Sequence, residues 1–131
     1  MKVYFDGHQV VPFVQIVKLT WNNIVYDNNE EWDAENNRWV CKEAGIYHFG
    51  LAVNFPNYYS GAWIMLIKND NESFLKTYGR PAGGSTEIVT ATDKNMEVGD
   101  YVDARTLHMK SPSIELWGGE FCMYFSVHRV G

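Results

Sequence analysis

Residues 21–50 read WNNIVYDNNEEWDAENNRWVCKEAGIYHFG, and no helical period runs through them. Trp21, Trp32 and Trp39 are spaced instead around a polar run, 27–37, that separates stretches in which large apolar side chains alternate with polar ones. Alternation of period two is the mark of a strand with one face buried. Residues 38–42 and 46–54 are therefore predicted strands, with Ala44-Gly45 as the break between them. Gly45 permits a backbone turn that a side chain would obstruct, and Tyr47 and Phe49, two apart, share a face. The three tryptophans read as rings that cap and fill a sandwich, since each fully buried aromatic contributes on the order of 2–3 kcal/mol.

The same pattern continues outward in both directions. Upstream, Val17, Leu19 and Trp21 alternate with Lys18 and Thr20, which predicts a strand over 14–21, closed by Asn22-Asn23. Downstream, 63–68 is apolar enough for a strand buried on both faces, ended by Asn69-Asp70-Asn71. Further strands are predicted at 73–78, 86–92, 101–109, 114–117 and 121–130. Gly83-Gly84 and Gly118-Gly119 are joints inside one domain, because strand patterning resumes after each. Eight to ten short strands in 131 residues predict a single all-β domain over 1–131, a sandwich or a barrel.

Composition narrows the function. With 46% apolar and 21% charged residues the chain is expected to fold, and 15% aromatic content favours pleated surfaces. Sixteen acids against eleven Lys and Arg leave a net charge of −5, which disfavours sequence-independent binding to nucleic acid or to anionic membrane. The apolar runs fall far short of the ~20 residues that cross a bilayer, and MKVYFDG lacks a signal-peptide core. Membrane insertion and the usual export signal are therefore not expected. Cys41 and Cys122 are too few for a disulfide framework and, each in an apolar run, are expected to be free thiols.

The spacing from Trp21 through Asp27, Trp32 and Trp39 to Gly45-x-Tyr47-x-Phe49 resembles the signature of the complement component 1q globular-head family, a branch of the tumour necrosis factor-like jelly rolls. That family has Phe where Trp21 and Trp39 stand and an aromatic where Leu51 stands. Asp33 after Trp32 and Cys41 two residues beyond Trp39 also match. Leu66-Ile67-Lys68-Asn69-Asp70 is similar to the family's Lys-Asn-Gly strand end, Val98-Gly99-Asp100-Tyr101-Val102 to its Gly-Asp turn, and Tyr124-Phe125-Ser126-Val127 to its closing strand. The resemblance implies a two-sheet antiparallel jelly roll of about ten strands that forms a homotrimer and binds other molecules without catalysis. It aligns Tyr124 with an aromatic facing the threefold axis, and Tyr47 is expected on the neighbouring strand, so these two are the expected trimer contact. A bacteriophage head, tail or fibre appendage, on a virion or an extracellular surface, is the expected setting.

Catalytic chemistry finds no foothold. His8, His48, His108 and His128 are far apart and form neither His-x-His nor His-Glu-x-x-His, and no nucleophile elbow, phosphate loop or dinucleotide fingerprint occurs. The acidic residues Asp27, Glu30, Glu31, Asp33 and Glu35 read as a solvated hairpin tip; the alternatives are a carboxylate pair for glycoside hydrolysis or oxygen ligands for calcium. Counted from Asp27, the sixth and twelfth positions are Trp32 and Arg38, so a calcium loop of the helix-loop-helix type is excluded. Phe55, Tyr58 and Tyr59 lie in a loop containing Pro56 and Gly61 that cannot easily bury them all, which makes them candidates for stacking on a sugar ring or anchoring a protein. Asn71-Glu72-Ser73 is a glycosylation sequon. Two functional classes remain: a trimeric structural or receptor-binding module, and a carbohydrate-binding module or glycan-active enzyme.

Overall fold

A computed structural model of the chain describes residues 1–12, 15–55, 61–79, 86–109 and 113–131. Among these residues there are thirteen strands and no helix: β1 (Lys2–Tyr4), β2 (His8–Pro12), β3 (Val17–Lys18), β4 (Asn23–Tyr26), β5 (Trp32–Asp33), β6 (Arg38–Val40), β7 (Gly45–Phe55), β8 (Ala62–Lys68), β9 (Glu72–Gly79), β10 (Thr86–Met96), β11 (Tyr101–His108), β12 (Ser113–Trp117) and β13 (Tyr124–Arg129). The count exceeds the expected eight to ten because short pairings such as β3 and β5, two residues each, carry too little alternation to be read from sequence. The expected strand over 14–21 shrinks to β3. The Trp21 N–H is taken by the side chain of Asn37 at 2.8 Å rather than by a neighbouring strand. The Gly83-Gly84 joint lies outside the described residues.

The strands form a five-stranded sheet in the order β10-β7-β13-β1-β4 and a second sheet ordered β5-β6-β11-β8-β9, with β3 added to β11 and a separate β2–β12 ribbon. All pairings are antiparallel. Apart from the neighbouring pairs β5–β6 and β8–β9, the order is non-sequential, as in the expected jelly roll.

Parity sets the core. Along β7, Tyr47, Phe49, Leu51, Val53 and Phe55 are buried and point between the sheets. Trp39 on β6 faces them, fully buried, with its ring edge-on to Tyr47 at 4.8 Å and to Phe49 at 5.5 Å. Trp21 and Trp32 both close on Phe125 of β13 at 6.2 Å, so the three tryptophans fill the sandwich as the sequence predicts. β8 is buried on both faces, since Met65 and Ile67 are covered as well as Ala62, Ile64 and Leu66.

The polar signature residues hold turns. Both oxygens of Asp27 accept backbone N–H groups, from Glu31 and Trp32 at 2.9 Å, and Glu30 within that turn has a φ of 53°. Asn69 and Asp70, with φ of 52° and 64°, form the tight β8–β9 turn; Asn and Asp tolerate this left-handed region better than other side chains. Asn69 also donates to Asp100 at 3.0 Å and accepts the Tyr101 N–H, which ties that turn to the Gly99-Asp100 turn. Gly99 has a φ of 91°. At Gly45 the constraint is space: an added Cβ would lie 2.6 Å from the Gly131 carbonyl oxygen, the same carbonyl that accepts the Ile46 N–H.

Candidate functional site

The solvent side of the five-stranded sheet is the surface on which the expected contact residues must lie. On it β10 contributes Val89, Ala91 and Asp93, β7 contributes His48, Gly50 and Ala52, β13 contributes Tyr124, Ser126 and His128, and β1 contributes Lys2 and Tyr4; the register puts Val89, Ala52, Tyr124 and Tyr4 side by side. Val89 is 53% exposed, and the half-buried Tyr124 carries the Lys2 ammonium over its ring at 4.8 Å. The centre of the face is thus small or apolar apart from the Lys2 ammonium, with Asp93 toward one end of β10 and the exposed Glu87 toward the other. A solvated antiparallel face is normally polar.

Tyr124 lies on this outer face, and Tyr47 does not. Tyr47 is buried between the sheets, because its odd position on β7 puts it with Phe49 on the inner side, opposite Ala52. Its hydroxyl donates to the Glu43 carbonyl at 2.5 Å, and burial pushes its pKa up to about 12. It belongs to the monomer core rather than to a shared face with Tyr124. Phe55 is corrected for the same reason: it ends β7 on the inner side with no exposed surface and is not a loop ring for a ligand. Tyr58 and Tyr59 lie outside the described residues.

The acidic stretch does not converge. Asp27 is used by the two backbone donors above, and Asp33 accepts from Asn36 and from Arg38 at 3.1 Å, donors that hold its carboxyl below the usual range, the Asn36 side chain foremost. Among the described residues no three His, Cys, Asp or Glu side chains gather around a point that could hold a metal ion. Glu31 differs from its neighbours: it is 6% exposed, and burial raises its carboxyl above the ordinary value. It lines a cavity of about 480 Å³ together with Tyr26, Lys42, Glu43, His128 and Arg129, a mixed-charge recess beneath one end of the five-stranded sheet. The sequon Asn71-Glu72-Ser73 is exposed at the start of β9.

Two groupings were invisible in the sequence. On the β2–β12 ribbon, His8 stacks on the half-exposed Trp117 at 5.5 Å and its Nδ1 meets Glu115 at 2.5 Å; Phe121, beyond the ribbon, is 85% exposed. On the sheet face His48 and His128 lie directly opposite each other on β7 and β13. The thiols are free as expected. Cys41 is buried, whereas Cys122 sits half-buried in a turn rather than in the expected strand, its N–H bonded to Gly119.

No protein-family model matches the chain. The uncharacterized protein YqcC of Bacillus subtilis (strain 168) is 25% identical over 118 residues, an alignment taking in 90% of this chain and 31% of YqcC; the chain spans about a third of the length of this curated relative. Among solved structures, Eiger TNF from S. frugiperda superposes with a TM-score of 0.74 at 9% identity, over 100% of this chain and 92% of that one. Murine APRIL at pH 8.5 gives 0.71 at 9% identity over 98% of each chain. The globular domain of zebrafish complement 1qA gives 0.71 at 14% identity, over 99% of this chain and 95% of that one. The fold is the complement 1q and tumour necrosis factor-like jelly roll.

Proposed function

We propose that this chain is a non-catalytic, homotrimeric binding module over 1–131, displayed on a virion or a cell surface, that engages a protein or glycan partner. The observation that carries the reading is the solvent face of the five-stranded sheet. Around the fully buried Ala52, the residues Val89, Ala91, Gly50, Tyr124 and Tyr4 form a band of small and aromatic side chains that are exposed or half-buried in one copy of the chain, and such bands mark association surfaces. Small residues at its centre allow close approach of another copy, and Tyr124 presents an apolar ring with a polar tip that can reach water or backbone. Similarity to YqcC over only part of that longer polypeptide suits a module carried by other segments. The glycan-directed alternative loses Phe55 to the core and Asp27 and Asp33 to internal hydrogen bonds, so it is the weaker of the two.

Size exclusion coupled to light scattering tests the proposal. The expected mass is three times the 15.1 kDa chain mass, and Tyr124→Glu, which brings three like charges together, is expected to dissociate the trimer or lower its melting temperature. A parent of monomeric mass, or a Tyr124→Glu protein still trimeric with unchanged melting, refutes it.

A further inference from the structure

His48 and His128 come from distant parts of the chain, yet they face each other across the β7–β13 pair on the solvent side of the sheet. Directly opposed residues of antiparallel strands hold their Cβ atoms about 4.5–5.5 Å apart, a spacing from which two imidazoles can reach one ion by side-chain rotation alone. On the other side of His48, Asp93 of β10 is its register partner, and its Oδ1 lies 2.7 Å from His48 Nδ1. A carboxylate in that position accepts the Nδ1–H and leaves the Nε2 lone pair outward, the arrangement that orients histidines bound to metals. Tyr26 stacks on His128 at 5.9 Å with its hydroxyl 3.2 Å from Nε2. His48 stays partly exposed, and His128 borders the cavity that also holds Glu31.

We propose that His48 and His128 form a two-imidazole chelate for a divalent late first-row ion, of the Zn²⁺ or Cu²⁺ class, with Asp93 as the positioning carboxylate. Imidazole ligands select these ions over Ca²⁺ and Mg²⁺, and Cu²⁺ binds tightest in the series. Water completes the coordination, because the described residues bring no third protein ligand to the ion. The site lies on the same sheet face as the proposed trimer contact, but both ligands belong to one chain, so one ion per chain is expected whether or not copies associate.

Calorimetric titration of the whole chain with Cu²⁺ and with Zn²⁺, and paramagnetic resonance of the Cu²⁺ form, test it. The expected result is one ion per chain and a Cu²⁺ spectrum with two coupled nitrogens. His48→Gln and His128→Gln each weaken binding at least tenfold, Asp93→Asn by about 10–100-fold, and His8→Gln leaves it unchanged. These side chains project from the outer sheet face, and an unchanged circular dichroism spectrum and melting curve without metal verify that each variant folds. No binding, one ion per three chains, or equal affinity in parent and His48→Gln overturns the proposal.

Discussion

Trp39 offers the sharpest test of how the sandwich is held together. Its side chain is fully buried and meets Tyr47 and Phe49 edge-on at 4.8 and 5.5 Å, so Trp39→Ala removes a whole bicyclic ring from between the sheets. Deletions of this kind cost about 3–5 kcal/mol, the lost transfer energy plus the cavity left behind; the two edge-on pairs, at about 0.5–1.5 kcal/mol each, are part of that sum. A second effect runs the other way. The buried indole Nε1 makes no hydrogen bond of ordinary geometry, although its N–H acts on the Glu31 carboxyl, and a poorly paired donor costs up to about 1–3 kcal/mol. Trp39→Phe keeps a six-membered ring against Tyr47 and Phe49 and deletes that donor, so its lost packing is largely offset and a net change within about 1 kcal/mol is expected. Urea unfolding at one fixed protein concentration, comparing midpoints at constant slope, measures both variants. A Trp39→Ala cost below about 1 kcal/mol would refute the packing argument. A Trp39→Phe cost equal to that of Trp39→Ala would show that the N–H is well paired.

Other expectations follow from the turn, the cavity and the thiols. Asp100 accepts from Asn69, from the Glu97 N–H at 2.8 Å and from Lys68 at 3.3 Å, so Asp100→Ala is expected to cost about 2–3 kcal/mol at neutral pH. Burial alone acts upward on that carboxyl, but these donors outweigh it and the net shift is below the ordinary 3.8. The stability they give is present above pH 3.8 and is lost as pH falls through the lower folded value, so the gap between parent and variant should close in acid; a constant gap refutes the assignment. Glu31 has the opposite sign: raised above 4.5 by burial, it holds its proton in the folded state where the unfolded chain has lost it. Parent stability should therefore fall as pH rises above 4.5, with a flatter profile in Glu31→Gln, and equal slopes would remove the burial argument. Thiol titration should find two free thiols after unfolding, with the half-buried Cys122 reacting before Cys41 in the native protein; the reverse order, or none, contradicts the placement.

Much of this molecule was legible locally. The period-two alternation of 46–54 forecast β7 to within one residue at each end, and the turns at Asn69-Asp70 and Gly99-Asp100 announced themselves through residues that tolerate positive φ. Even the burial of Tyr47 was implied, since a residue two before a core Phe49 on one strand must share its face; the expectation that it joins Tyr124 at a surface set that parity aside. Phe55 is the same lesson four pleat repeats further along β7. Strand neighbours were not legible in this way. That β13 lies between β7 and β1 is decided by how the two sheets close over Trp39 and Phe125, and it is this adjacency that sets His128 opposite His48, aligns Asp93 with His48, and assembles Val89, Ala52, Tyr124 and Tyr4 into one band. Alternation is a property of a few bonded neighbours, so a sequence determines it alone, whereas register and strand order are fixed by which distant faces bury together, and a slip of one residue would turn every one of those side chains to the other side.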